Sequence, residues 1–152
     1  MLHDRVTRGL EVGLIAAAAT TGMLLGFGRA HGATFRPLNA VAHVAIGSRA
    51  LFFDRLYPSV TLLGLALLVA ALLVWGIVFA VIAARIRGFP LLIVATAFTL
   101  LVYFVNAGVL PPRFRPGFEL TLSAAELAAV YIVLALSFAA ALALTRGVDD
   151  RA

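Results

Sequence analysis

The sequence contains no cysteine and no lysine, and it has few charges of either sign. Without cysteine there is no disulfide, no thiolate metal ligand and no cysteine nucleophile. Charged residues make up 12% of the chain, against roughly 25% in an ordinary soluble domain. Hydrophobic residues make up 63%, more apolar surface than a water-soluble fold of this size can hide. The formal net charge is +5, all of the basic side chains being arginines. These do not form the dense, aromatic-interleaved patch that nucleic acid binding requires, so nucleic acid is excluded as a partner. Only three histidines occur, His3, His31 and His43. There is no His-Glu-x-x-His, no acidic cluster of metal-ligand spacing and no nucleophile elbow. A haem shared by His31 and His43 demands an unusual geometry, since one lies in a glycine-flanked loop and the other on an amphipathic stretch. The expectation is no metal, no cofactor and a leaning away from enzymatic function.

What the chain has instead is four long apolar runs, about Gly9–Gly28, Ser59–Ala84, Phe89–Leu110 and Ala124–Thr145. A bilayer core about 30 Å thick takes roughly 20 apolar residues of helix, and each run supplies them. This predicts an all-α membrane protein: one bundle domain over residues 1–152, with four transmembrane helices and an amphipathic helix over about 37–56 between the first two spans. Met1 to Arg8 and the following apolar run superficially resemble a cleavable signal peptide. Glu11 interrupts that run, which is also long, so it reads as a retained first span. With an even number of spans, six arginines fall on each side: Arg5, Arg8, Arg85, Arg87, Arg146 and Arg151 against Arg29, Arg36, Arg49, Arg55, Arg113 and Arg115. The positive-inside rule is thus tied, and only the tight Arg85–Arg87 turn and the basic N-terminus tip the reading toward cytoplasmic termini.

Local signals place the helix ends. Arg85 to Gly88 is short enough only for an antiparallel hairpin. Pro90 falls in the first turn of the third span, where a missing N–H costs nothing, and Pro111-Pro112 stops its far end. Ser123-Ala-Ala-Glu126 matches the capping box, which makes Glu126 a structural acid.

The stretch from Arg29 to Pro58 is less regular. Taken as a helix, Arg36, Asn39, His43, Gly47, Ala50 and Asp54 fall within one quadrant. Two readings stand open: an interfacial helix with this stripe in water, which Arg49 and Arg55 favour, or a helix packed on the bundle so that Asn39, His43 and Asp54 line a cavity.

Polar and small residues inside the spans are read first as packing devices. Gly9-x-x-x-Gly13 and Gly22-x-x-x-Gly26 allow close helix approach, to another span or another protomer. Thr96, Thr99, Tyr103 and Asn106 share one face of the third span; they bond to neighbouring helices or their own backbone, or hold the head of a quinone or lipid. Glu11 either meets headgroups and pairs with Arg8 one turn earlier or, if deeper, is an intramembrane acid able to take a proton or cation. Small four-helix multidrug exporters carry a glutamate in their first span, but this chain is longer and lacks the aromatic pocket beside the acid.

Two stretches carry a family resemblance. Asn39, His43 and Gly47 form Asn-x-x-x-His-x-x-x-Gly after the first span. Pro111 or Pro112, Arg113, Pro116, Gly117 and Glu119 form a proline-, arginine- and glycine-containing pattern before the last. In order and spacing this resembles a group of small four-span proteobacterial inner-membrane proteins without an assigned activity. The resemblance implies a multi-pass fold and a bacterial inner-membrane address. That group often has an acid before the tyrosine-like position at the end of the third span; Val102 stands there here, so no role of such an acid carries over.

Both stretches lie on the side opposite the termini. Asn39, His43, Asp54, Arg113, Arg115 and Glu119 are therefore expected to form a polar cluster at the membrane surface, either an ion-pair lid or a site for an anionic lipid head or partner subunit. The leading expectation is a non-enzymatic accessory or assembly subunit with the bilayer, a membrane-protein partner or a second copy as its partners. The alternative is a proton-coupled transporter-like or ligand- or lipid-binding protein using Glu11, His43 or Asp54.

Overall fold

The structure, a computed structural model, describes the backbone of residues 2–149 and the side chains of residues 4–146. Arg151, counted above for topology, lies outside the described residues, as does the side chain of His3. Among the described residues six α-helices follow one another: α1 (Leu2–Ala30), α2 (Arg36–Val41), α3 (His43–Ile46), α4 (Pro58–Ile82), α5 (Phe89–Phe104) and α6 (Ala124–Asp149). No strand occurs among the described residues. Four segments are long and apolar enough to cross a membrane: Asp4–Ala30, Pro58–Ile82, Phe89–Val109 and Ala124–Arg146. Their outer faces carry Leu62, Val74, Leu100, Ile132 and Leu144, each more than half exposed. Only hydrocarbon tolerates such a surface, so the protein is a multi-pass all-α integral membrane bundle in contact with lipid.

The bundle is organised on α1, which packs most extensively on α4 and then on α6, while α5 packs mainly on α6. Gly9 and Gly13 meet Gly76 of α4 so closely that a Cβ on Gly76 would fall 2.6 Å from the Gly13 nitrogen. The first small-residue pair is thus an intramolecular device, whereas Gly22 and Gly26 face open space. On the other side of the core, Phe79, Phe98 and Phe138 join α4, α5 and α6, with ring centroids 5.2–5.7 Å apart. Trp75 adds an edge contact to Phe98 at 5.8 Å. Such aromatic pairs contribute about 0.5–1.5 kcal/mol each beyond area burial.

The expected helix boundaries hold closely where proline or a cap marks them. Pro58 and Pro90 sit in the first turns of α4 and α5. At the far end α5 loosens into a π-helical turn, Val105–Val109, before Pro111. The Ser123 N–H donates to Glu126 Oε2 at 2.9 Å, and the capping box is completed by the Glu126 N–H to Ser123 Oγ at 3.4 Å. His31 Nε2 lies 3.0 Å from the same carboxyl group, tying the turn after α1 to the start of α6.

The single helix expected over 37–56 is corrected. The chain forms α2, α3 and a 3₁₀ turn (Ser48–Phe52), then runs extended into Pro58. Gly47 breaks it, with φ of 79° and ψ of −174°, a backbone conformation suited to glycine. A continuous helix would also separate residues 39 and 53 by about 21 Å, yet the Asn39 amide donates to Phe53 O at 2.8 Å. The chain must double back to make that bond.

Candidate functional site

Asn39, on α2, is fully buried. Its Nδ2 donates to Phe53 O at 2.8 Å and Arg55 O at 2.9 Å, and its Oδ1 accepts from the Thr61 hydroxyl at 2.7 Å. The Thr61 oxygen in turn accepts the Tyr57 N–H at 3.3 Å, at the start of α4. One amide therefore ties α2, the extended segment and α4, and both of its donor hydrogens are used. This overturns the reading of a solvated stripe: Asn39, His43 and Ala50 are buried, while Arg36, Gly47 and Asp54 remain at the surface, Arg36 and Asp54 as an exposed pair 3.5 Å apart.

His43 starts α3 and faces two carbonyls: Nδ1 lies 3.0 Å from Ala40 O and Nε2 lies 3.3 Å from Pro112 O. A neutral imidazole carries one N–H and serves one of them; an imidazolium serves both. The second contact brings in the loop between α5 and α6. Gly117 of that loop is seated against His43, where a Cβ would lie 2.5 Å from Nδ1, and its φ of +80° also suits glycine. The two stretches that carried the resemblance are thus in contact. Arg113 and His43 line a surface depression with Pro112 and Ser48, about 520 Å³ in volume. Arg115 donates from Nε to Leu110 O at 3.2 Å, stiffening the loop.

Glu119 lies near Arg115 and His43. Burial pushes its carboxyl above the ordinary carboxylate range, and those two basic groups oppose the rise. Asp54 is not part of this group; it pairs with Arg36. Of the six residues expected to cluster, His43, Arg113, Arg115 and Glu119 gather at the loop, Asn39 lies beneath as a structural tie, and Asp54 stands apart.

Glu11 lies away from that end, on the exterior. It is exposed on α1, between Gly9, which meets Ile77, and Gly13, which meets Leu72 and Leu73. That level is about 10 Å inside the end of α4 at Ile82, counting 1.5 Å per residue. Arg8, one turn earlier, lines a cavity at the bundle end with Arg5 and Arg146. Glu11, Ile15, Ala18, Gly22, Gly26 and Arg29 share one exposed face of α1.

The polar stripe of α5 borders a groove of about 500 Å³ between α5 and α6, open sideways to the membrane. Thr96 and Thr99 donate to Leu92 O and Ala95 O of their own helix, as the packing reading expects. Asn106 donates to the Tyr131 hydroxyl at 3.1 Å, and Tyr103 packs edge-on against Tyr131 with centroids 5.3 Å apart. One end of an otherwise apolar groove therefore carries two phenol groups.

Arg146 is a residue whose role the sequence did not disclose. It is buried near the end of α6 and donates to Ala83 O and Ile86 O, both at 2.6 Å, closing the end of α4. An arginine at the end of an apolar run ordinarily snorkels to the headgroups, and no local pattern distinguishes a buried arginine from a snorkelling one.

Among the described residues no group of three or more histidines, aspartates or glutamates is gathered as a metal site would require. The arrangement defines a class, a multi-pass membrane bundle with a tied polar cap at one end, an outward acid on α1 and a lateral groove on α5 and α6. Comparison with protein-family models finds no match, and comparisons with curated proteins and with solved structures find none at a significant level.

Proposed function

We propose that the protein is a non-enzymatic accessory or assembly subunit of a bacterial inner-membrane complex, docking a partner's transmembrane helix on the outer face of α1. The observation that carries this is Glu11, an exposed carboxyl about 10 Å inside the bundle end by helix rise. An ionisable group facing hydrocarbon is costly unless a neighbour supplies a proton, a charge or hydrogen bonds. Ala18, Gly22 and Gly26 continue the same face, so a second backbone can approach closely beside it. The fitting partner is a helix of another protein with a basic or hydrogen-bond-donating side chain opposite Glu11. Membership of the proteobacterial family, to which the Asn39-His43-Gly47 and Pro112-to-Glu119 patterns point, belongs to the same proposal.

Mild-detergent purification from native membranes tests it. A distinct membrane protein should travel with the wild type and be lost in Glu11→Leu and Gly22→Leu, with the bundle still folded. Recovery of a lone chain, or of only a second copy, rejects the partner assigned here.

The groove between α5 and α6 favours a second reading, that of a binder of an acyl-chain amphiphile. Apolar walls that open sideways to lipid, with a few polar groups at one end, are what such a ligand requires. The hydroxyls of Tyr103 and Tyr131 would donate to a carbonyl of its head. Ala128→Trp fills the groove and should expel a co-purified amphiphile detected by mass spectrometry; unchanged retention excludes this site.

A further inference from the structure

At the end of the bundle that carries the chain termini, a cavity of about 210 Å³ is lined by Asp4, Arg5 and Arg8 of α1, Ala80 and Ala84 at the end of α4, and Leu142 and Arg146 of α6. Among the described residues, three guanidinium groups and the Asp4 carboxylate line it. Arg87, on the turn between α4 and α5, is close enough to repel Arg146, as is Arg8. The folded chain thus brings arginines from three separate segments to one end.

Arg146 fixes the shape of this cavity. A guanidinium has five N–H groups; two donate to Ala83 O and Ile86 O, which holds the side chain rigid and leaves the other three available to the cavity. The side chain itself is only 7% exposed. A planar, pre-oriented guanidinium beside two further arginines matches a phosphate group, which it engages through paired, charge-assisted hydrogen bonds.

The geometry points to a binding site for the phosphate of an anionic glycerophospholipid, held by Arg5, Arg8 and Arg146 where α1, α4 and α6 converge. Three observations specify a lipid. The cavity lies at the end of the spanning segments, at headgroup depth. Its remaining walls are Ala80, Ala84 and Leu142, which suit the glycerol and upper acyl region. Basic pockets between membrane helices recognise anionic headgroups by this combination of charge and depth. The site is independent of the docking face on α1 and of the α5–α6 groove.

The test uses the full-length protein delipidated in neutral detergent, with native mass spectrometry and thermal unfolding as readouts. Phosphatidylglycerol should bind and raise the unfolding temperature, whereas phosphatidylcholine and millimolar inorganic phosphate should not. Arg5→Gln combined with Arg8→Gln should weaken phosphatidylglycerol binding about ten-fold, the loss of one or two charge-assisted contacts. A control pair at the opposite end, Arg49→Gln with Arg55→Gln, both exposed and outside the His43 cluster, should leave it unchanged. Equal binding of phosphatidylcholine, full binding by the Arg5/Arg8 variant, or equal loss in the control overturns the assignment. An effect reproduced by inorganic phosphate alone overturns the lipid as its source. Should the double variant fail to fold, wild-type affinity must still fall as salt rises from 50 to about 500 mM; a salt-independent affinity rejects the site.

Discussion

The two ends of the bundle use the same kind of bond to opposite effect. At one end Asn39 ties two backbone carbonyls and a hydroxyl, and neither of its donor hydrogens is left over. At the other Arg146 ties two carbonyls as well, but most of its donors and its whole charge remain, with Arg5 and Arg8 beside it. A neutral side chain with every partner inside the chain closes a structure. A charged one with donors to spare, among like charges, leaves a place for something else.

The largest break in this comparison should come from Asn39→Ala. It strands the carbonyls of Phe53 and Arg55 and the hydroxyl of Thr61, and should cost about 3–9 kcal/mol, given about 1–3 kcal/mol for each unsatisfied buried group. Thermal unfolding in detergent measures the loss, and limited proteolysis should cut within residues 47–57. Arg146→Met should cost less, about 2–6 kcal/mol on the same scale, because two carbonyls, Ala83 O and Ile86 O, lose a partner and not three groups. The same measurement that gives equal costs at both ends would erase the distinction.

Charge removal sharpens it. Arg5→Gln with Arg8→Gln should cost the lipid-free protein less than Arg146→Met does, since both arginines are partly exposed and ion pairs in such positions contribute about 0–1 kcal/mol each. A collapse of the apo protein would make them structural and not binding groups.

The smallest effect belongs to Glu119. Burial raises its carboxyl in the folded state, so the folded protein takes up protons more readily than the unfolded chain. Stability from this group is fully present below the ordinary glutamate range and is lost as pH rises through the elevated folded value. Glu119→Gln should flatten that part of the pH–stability profile. A wild-type profile that instead gains stability over that interval through this residue would mean that Arg115 and His43 outweigh burial.

The spans and their ends were legible because lipid imposes a one-dimensional rule: enough apolar residues in a row, with prolines and a capping box as punctuation. The tie at Asn39 was not, because its partners lie 14, 16 and 22 positions along the chain. Periodicity placed Asn39 and His43 on one face with Asp54 and Arg36, which is correct for a helix; Gly47 ends the helix, and the face divides into a buried part and a surface part. The same limit hid the aromatic cluster of Phe79, Phe98 and Phe138, three phenylalanines among eleven with no local mark. Contact between the His43 segment and the Pro112–Glu119 loop was expected from their common side of the membrane, and the 3.3 Å approach of His43 to Pro112 O bears it out.

Composition and the lengths of its apolar runs alone fixed this chain as a four-span membrane bundle, because desolvating a backbone in hydrocarbon leaves helix as its way to satisfy every N–H and C=O. Which polar side chains close the bundle and which stay open to a ligand was decided only by tertiary structure. Glu11 reads from sequence either as an interfacial acid or as a deeper one, and Arg146 only as an arginine flanking the last span. Packing on Gly76 sets the first at depth on the outside, and the carbonyls at the end of α4 draw the second inside. Both outcomes depend on distances between segments far apart in the chain, which no local pattern encodes.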